Sequence, residues 1–235
     1  MGRRLGRALT VLPLLRDFVA DALALVETPD PVVEFGSLQV EAAQDADLRP
    51  LFAGRPFTGT DFRAGPGVDR VEDLRALTYE DGSVGTALCL ETLEHCEDPF
   101  GAGRELARVV RSDGGVCLVS TPMLLGIHGY PEDYWRFTPE GLRVVLGDFD
   151  AVWTAGLGDP EFPISVVAIA AHGRDLGDVS LDRLPRVAAA QHRYQAADRA
   201  VRWGPLRIPP RELARQLARE LPRLAGARLR RPRSR

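Results

Sequence analysis

The chain has 235 residues, is 45% hydrophobic and carries a formal net charge of −3. This length suits one substantial α/β core with appendages, and a pI near 5.9 excludes the dominant basic field of a typical nucleic-acid binder. All positive side chains are Arg, and the three cysteines, Cys89, Cys96 and Cys117, lack CxxC spacing. That usage argues against a disulfide framework and against a zinc site, so no metal ligands are predicted and a reducing cytoplasm is the expected location.

From Arg4 to Val26 apolar residues recur at three- and four-residue steps, which predicts an amphipathic helix covering one edge of the main sheet. Arg3 and Arg4 imitate the start of a signal peptide, but Arg16 and Asp17 break the apolar stretch and no small-residue cleavage site follows. No run approaches the roughly 18 apolar residues of a membrane span. Thr28-Pro29-Asp30-Pro31 ends the helix, and Val32–Phe35 reads as a buried strand stopped by Gly36.

Further strands are predicted at Phe57–Asp61, Val68–Val71 and Val84–Leu90. Asp98-Pro99 supplies a cap and a first-turn proline for a helix to about Arg111. A fifth strand at Val116–Ser120 follows Gly114-Gly115, Thr138-Pro139 opens a helix through Leu146, and strands follow at Ala151–Thr154 and Ile164–Ala171. This order predicts an α/β domain over residues 1–172 with a mostly parallel sheet. Residues 173–235 are expected to form a helical appendage, with helices over Leu181–Val201 and Arg211–Leu224 and a basic, disordered tail from Arg228.

In an open α/β sheet the ligand sits at the carboxyl ends of the strands, so the residues that follow each strand are the candidates. They are Glu34-Phe35-Gly36-Ser37, Asp61, Glu72-Asp73-Leu74 and Glu91-Thr92-Leu93-Glu94-His95. The segment from His128 to Phe137 adds an imidazole, carboxylates, a guanidinium and four aromatic rings after the fifth strand, a density that suits an acceptor pocket or a lid.

The spacing of Glu34-x-Gly36, Asp61, Asp73, Leu93-Glu94-His95 and Gly114-Gly115 resembles the class I S-adenosylmethionine-dependent methyltransferases over roughly Val32 to Leu146. The pattern looks like a small-molecule branch that combines a Glu-x-Gly-Ser loop with Gly59–Asp69 and with His128-x-Tyr130-Pro131-x-Asp133-Tyr134-Trp135-Arg136-Phe137-Thr138-Pro139. The resemblance implies a Rossmann-like sheet with helices on both faces and S-adenosyl-L-methionine as cofactor. It implies cofactor contacts from Glu34, Gly36, Ser37, Asp61, Asp73, Leu74 and Glu91, with Asp61 on the ribose hydroxyls and Asp73 at the adenine amine. Only the first glycine of the usual E/D-x-G-x-G-x-G loop is present.

Tyr130, Asp133, Tyr134, Trp135 and Arg136 are the expected substrate contacts. His128 is the first candidate base and His95 the second, since an imidazole titrating near neutrality suits removal of an acceptor proton; holding their loops is the competing structural role. The expected acceptor is a small molecule or sugar, methylated on O or N. The alternative is a non-catalytic scaffold of the same fold, which the missing glycines and Gly85 at the start of the fourth strand would favour. Nucleic-acid acceptors, membrane contact through the C-terminal arginines and an NAD-dependent oxidoreductase are disfavoured.

Overall fold

A computed structural model describes residues 11–39, 47–128, 132–158, 160, 163–197, 201–203, 206–208, 214–215 and 218. The chain divides into two units, Met1–Ala190 and Gln191–Arg235. The first is built on a seven-stranded sheet of order β3-β2-β1-β4-β5-β7-β6. Its strands are β1 Val32–Phe35, β2 Phe57–Asp61, β3 Arg70–Val71, β4 Thr86–Leu90, β5 Val116–Pro122, β6 Ala151–Gly158 and β7 Pro163–Ala171. β1 through β5 pair in parallel, while β7 runs antiparallel to both β5 and β6.

Helices cover both faces, which is why the central strands are apolar at consecutive positions. On one face α2 (Pro99–Val109) and α3 (Pro139–Val145) pack Ala102, Leu106, Leu142 and Val145 against Val33, Phe35, Cys89, Cys117 and Val119. On the other face α1 (Val11–Leu25) packs Leu15, Phe18, Val19 and Ala22 against Val32, Leu88, Val116, Leu118 and Ile169. Adjacent strand residues thus enter opposite cores, as the pleat requires. Each helix start follows its local chemistry: Asp98 accepts from the Gly101 amide and Thr138 from the Gly141 amide, each with proline in the first turn.

Several expectations change. α1 lies over β5 and β7, inside the edge strand β6, because the apolar rows it must bury against belong to those strands and to β1 and β4. The expected helix at Leu181–Val201 is a short 3-10 turn at Leu181–Arg183, then α4 (Pro185–Ala197), with Val201 already in a strand. Pro185 marks the break, since its ring favours the first turn of a new helix. The sheet unit also extends past residue 172: Leu176, Val179, Leu184 and Val187 are buried in the α1-side core, and Asp21 of α1 accepts the backbone amides of Arg186 and Val187 at 2.8 and 3.0 Å. In the second unit β8 (Val201–Trp203) and β9 (Leu206–Ile208) form an antiparallel hairpin. Residues 1–10, most of the expected helix at 211–224 and the tail from residue 228 lie outside the described residues. Among the described residues no helix is long and apolar enough to cross a membrane.

Candidate active site

The carboxyl ends of β1, β2, β3 and β4 open onto a crevice of about 380 Å³. Gly36 closes β1 with φ +90°, and a Cβ there would stand 2.0 Å from the Thr92 hydroxyl oxygen. Glycine is therefore required twice over, by backbone angle and by the approach of the chain leaving β4. The amides of Gly36 and Ser37 both donate to the Thr60 carbonyl at 2.8 Å, which ties the β1 loop to the end of β2.

The absence of further glycines after Gly36 has a local explanation. The space lies on the facing loop instead: a Cβ on Gly65 would meet Leu38 at 2.4 Å and one on Gly67 would meet the Ser37 carbonyl at 2.5 Å. The Ser37 hydroxyl donates to the Gly67 carbonyl at 2.9 Å, and Arg49 donates to that carbonyl and to Asp69 at 2.9 and 2.8 Å. Small residues after β2 thus admit larger ones after β1.

Gly36, Asp61, Asp73, Leu74, Glu91, His95 and Tyr134 all border the crevice. Asp61, the last residue of β2, accepts the Arg63 amide at 2.9 Å, a turn that holds its carboxylate at the rim. Asp73 is paired twice with Arg75, at 3.0 and 2.8 Å, and that hydrogen bonding holds its carboxyl below the usual range. Glu34 and Ser37 are behind this wall; burial pushes the Glu34 carboxyl up to about 8 against the opposing charge of Arg49.

Glu91 has φ +48°, a left-handed conformation costing a side-chain-bearing residue about 1–2 kcal/mol. It is held by Ser120, whose hydroxyl donates to the Glu91 carboxylate at 2.9 Å while its carbonyl accepts the Glu91 amide at 3.0 Å. Burial raises the Glu91 carboxyl to about 7.

A 3-10 turn at Leu93–His95 carries Glu94 and His95. The segment before α3 docks on it: the amides of Tyr134 and Trp135 donate to the Glu94 carbonyl at 2.8 and 3.3 Å, and the Trp135 indole donates to the Cys96 carbonyl at 2.9 Å. The His95 and His128 rings meet edge to face with centroids 5.0 Å apart. His95 Nδ1 contacts the Glu132 carbonyl, and burial lowers the His95 pKa so that its neutral form is favoured.

His128 lies behind His95, with its amide donating to Asp133 at 2.8 Å and its Nδ1 3.2 Å from the same carboxylate. Asp133 is also paired with Arg136, whose guanidinium reaches the carbonyls of Leu125, Gly126 and Trp135 as well. The guanidinium holds the Asp133 carboxyl far below its ordinary value. Asp133 and Arg136 therefore fasten the loop carrying His128, while Tyr134 meets the crevice; Tyr130 lies outside the described residues.

Sequence reasoning missed three features. Phe62 borders the crevice yet is 58% exposed, an aromatic directly after a strand-end acid. Thr92 fills the space beside Gly36. Glu94 is fully buried, with neither carboxylate oxygen hydrogen-bonded among the described residues. Its place in an Glu-His pair after β4 was visible, but its burial depends on a segment 40 residues on. Gly85, in contrast, stands at the amino end of β4, where a Cβ would meet the Asp30 and Pro29 carbonyls at 2.4 and 2.5 Å. Its identity answers to that packing and is remote from the crevice.

The family model described as a methyltransferase domain matches residues 56–118, which span β2, β3, β4, α2 and the start of β5. No curated protein matches the chain. Among solved structures the chain is similar to an S-adenosylmethionine-dependent methyltransferase from Mesorhizobium loti, at 15% identity and TM-score 0.51, covering 68% of this chain and 100% of that one. It is also similar to the PH0226 protein from Pyrococcus horikoshii OT3, at 10% identity and TM-score 0.53, covering 71% and 92%. At these identities the likeness is one of fold. The methyltransferase-domain match lies on the strands that build the crevice and points to methyl transfer there; the similar protein from Mesorhizobium loti is one that depends on S-adenosylmethionine.

The crevice suits that molecule chemically. Asp61 and Glu91 offer carboxyl groups for a sulfonium or an ammonium group, Asp73 and Glu97 being paired with Arg75, and Phe35, Leu38, Phe62 and Leu74 give apolar surface for a flat base.

Proposed function

We propose that the chain methylates an oxygen or nitrogen of a small-molecule or sugar acceptor in the crevice at the carboxyl ends of β1, β2 and β4. The observation that carries this reading is the convergence of Gly36, Asp61, Leu74, Glu91 and His95 on one crevice. S-adenosylmethionine, when bound, supplies a methyl group activated by positive sulfur, ready for in-line displacement.

The protein's share is alignment, exclusion of water and management of one proton. Asp61 accepts hydrogen bonds from vicinal hydroxyls, an ionised acceptor making stronger bonds than a neutral one. Leu74 and Phe62 bracket a planar base, and Gly36 lets the β1 loop approach the cofactor closely. Tyr134, on the docked segment, borders the acceptor side. His95, on the crevice wall with Nδ1 engaged by the Glu132 carbonyl, keeps Nε2 available for the acceptor proton, and His128 supports it edge-on. This order reverses the expectation that placed His128 first.

Calorimetric titration with S-adenosylhomocysteine tests the reading. Micromolar binding, about −8 kcal/mol, is expected in the parent chain. Absence of binding in well-folded protein would overturn the proposal.

A further inference from the structure

Glu94 stands out among the buried groups. Its side chain has no solvent exposure, and among the described residues neither carboxylate oxygen has a hydrogen-bond partner. Leaving such a group unsatisfied is costly, so its retention in a dry position calls for a partner.

The groups facing it are ligand-type nitrogens. His95 Nε2 is 3.7 Å from a Glu94 oxygen, and one ligand atom from each of Glu94, His95 and His128 lies within 4.8 Å of the others. Tetrahedral bonds of about 2.1 Å hold ligand atoms about 3.4 Å apart, so binding draws the three side chains together by up to about 1.4 Å. Each imidazole is also oriented from its far side: His95 Nδ1 by the Glu132 carbonyl, His128 Nδ1 by Asp133 and, at 3.3 Å, by the Gly126 carbonyl. Outer-shell contacts of this kind orient metal-binding imidazoles. Arg136, whose charge also acts on Glu94, makes its hydrogen bonds to Asp133 and three carbonyls.

We propose that Glu94, His95 and His128 bind one divalent transition-metal ion, of the zinc, cobalt or manganese type, with an open coordination position toward the crevice. Two imidazoles and one carboxylate favour such ions over magnesium or calcium, which prefer all-oxygen shells. Because His95 also borders the crevice, the open position meets the acceptor side, and an oxygen acceptor bound there ionises more readily than it would in water. The binding site stands by itself; this role for it rests on the methyl-transfer reading, narrows the acceptor to a hydroxyl compound, and replaces proton acceptance by His95 with activation by the ion.

The test uses the full chain stripped with chelator and titrated with zinc, manganese or cobalt chloride alone, without cofactor. Expected are one bound ion per chain, a rise in melting temperature, and visible cobalt absorption characteristic of nitrogen ligation. His128→Ala, which alters a half-exposed loop residue, should weaken binding at least tenfold, and Glu94→Gln should abolish the metal-induced rise while the metal-free protein stays folded. Both variants should bind S-adenosylhomocysteine as the parent does, so loss of that binding in the parent would count against the methyl-transfer reading alone. Failure of all three ions to bind, or equal binding by both variants and the parent, would overturn the metal site.

Discussion

β4 enters the sheet and leaves it under opposite constraints. At its amino end Gly85 is pressed against the carbonyls of Pro29 and Asp30, and Thr86 donates to the Pro29 carbonyl at 2.7 Å; the chain there is fixed by backbone packing and satisfied hydrogen bonds. At its carboxyl end Glu91 takes a left-handed conformation and Glu94 is buried without a hydrogen-bond partner among the described residues. Between the two ends Ala87, Leu88 and Cys89 are fully buried. Stability thus comes from the strand and its amino end, and unfavourable groups are concentrated where the crevice opens. Such concentration is expected where a surrounding structure holds strain for a functional purpose.

The largest effect that sharpens this contrast lies in the core. Phe18 is fully buried among α1, α4-side and sheet residues. Phe18→Ala should cost about 3–5 kcal/mol of stability by chemical denaturation, with the affinity for S-adenosylhomocysteine unchanged at temperatures where the variant is folded. A matching loss of affinity would show that core and crevice are not separable.

A second effect acts through pH. Burial raises Glu34 from 4.5 to about 8, so the folded state holds its proton more tightly than the unfolded chain. The stability this contributes is fully present below the unfolded value and is lost as pH rises from about 4.5 through 8. Glu34→Gln removes the titration, so the variant should gain on the parent across that window by about 3–5 kcal/mol. Melting temperatures measured from pH 5 to pH 9 check it; parallel curves would mean that Glu34 is solvated.

At the rim the effect should be on binding alone. Asp61→Ala should weaken S-adenosylhomocysteine about tenfold or more, roughly the 1.5–3 kcal/mol of a hydrogen bond to a charged group, while stability changes little because the Asp61 side chain holds only the Arg63 amide among the contacts described. Calorimetry of the folded variant reads it directly. Unchanged affinity would remove Asp61 from the cofactor site.

The strands were legible because both sheet faces are covered: Val32–Phe35 and the carboxyl-terminal part of Val84–Leu90 announce themselves as short, mostly apolar runs between turn residues, while Phe57–Asp61 is marked instead by its β-branched threonines. The strand-end rule then placed Gly36, Asp61, Asp73, Leu74 and Glu91 on one crevice. What stayed hidden depends on contacts between distant segments. Gly65 and Gly67 make room for Leu38 and Ser37 across some 30 residues, a compensation that a motif read one loop at a time presents as a loss. The same holds for Glu94, whose burial requires the Tyr134-Trp135 segment, and for α1, whose apolar stripe says that it must be covered without saying by which strands. β6 was underestimated because its residues from Ala151 to Gly156 are all partly exposed, so no continuous apolar run marks its length.

The smallest expected effect probes the strained end of β4 itself. Glu91→Ala and Glu91→Gly both remove the carboxylate and its bond from Ser120, so comparing them leaves the backbone as the difference. In ordinary strand or helix, Gly is the less stable of the two by about 0.5–1 kcal/mol. At φ +48° the order should invert, with Glu91→Gly more stable than Glu91→Ala by about 1 kcal/mol, since glycine alone enters the left-handed region without steric cost. Denaturant titration of the two variants decides it. If alanine were the more stable, the left-handed turn would not be imposed by the surrounding fold, and the contrast between the two ends of β4 would reduce to one of polarity.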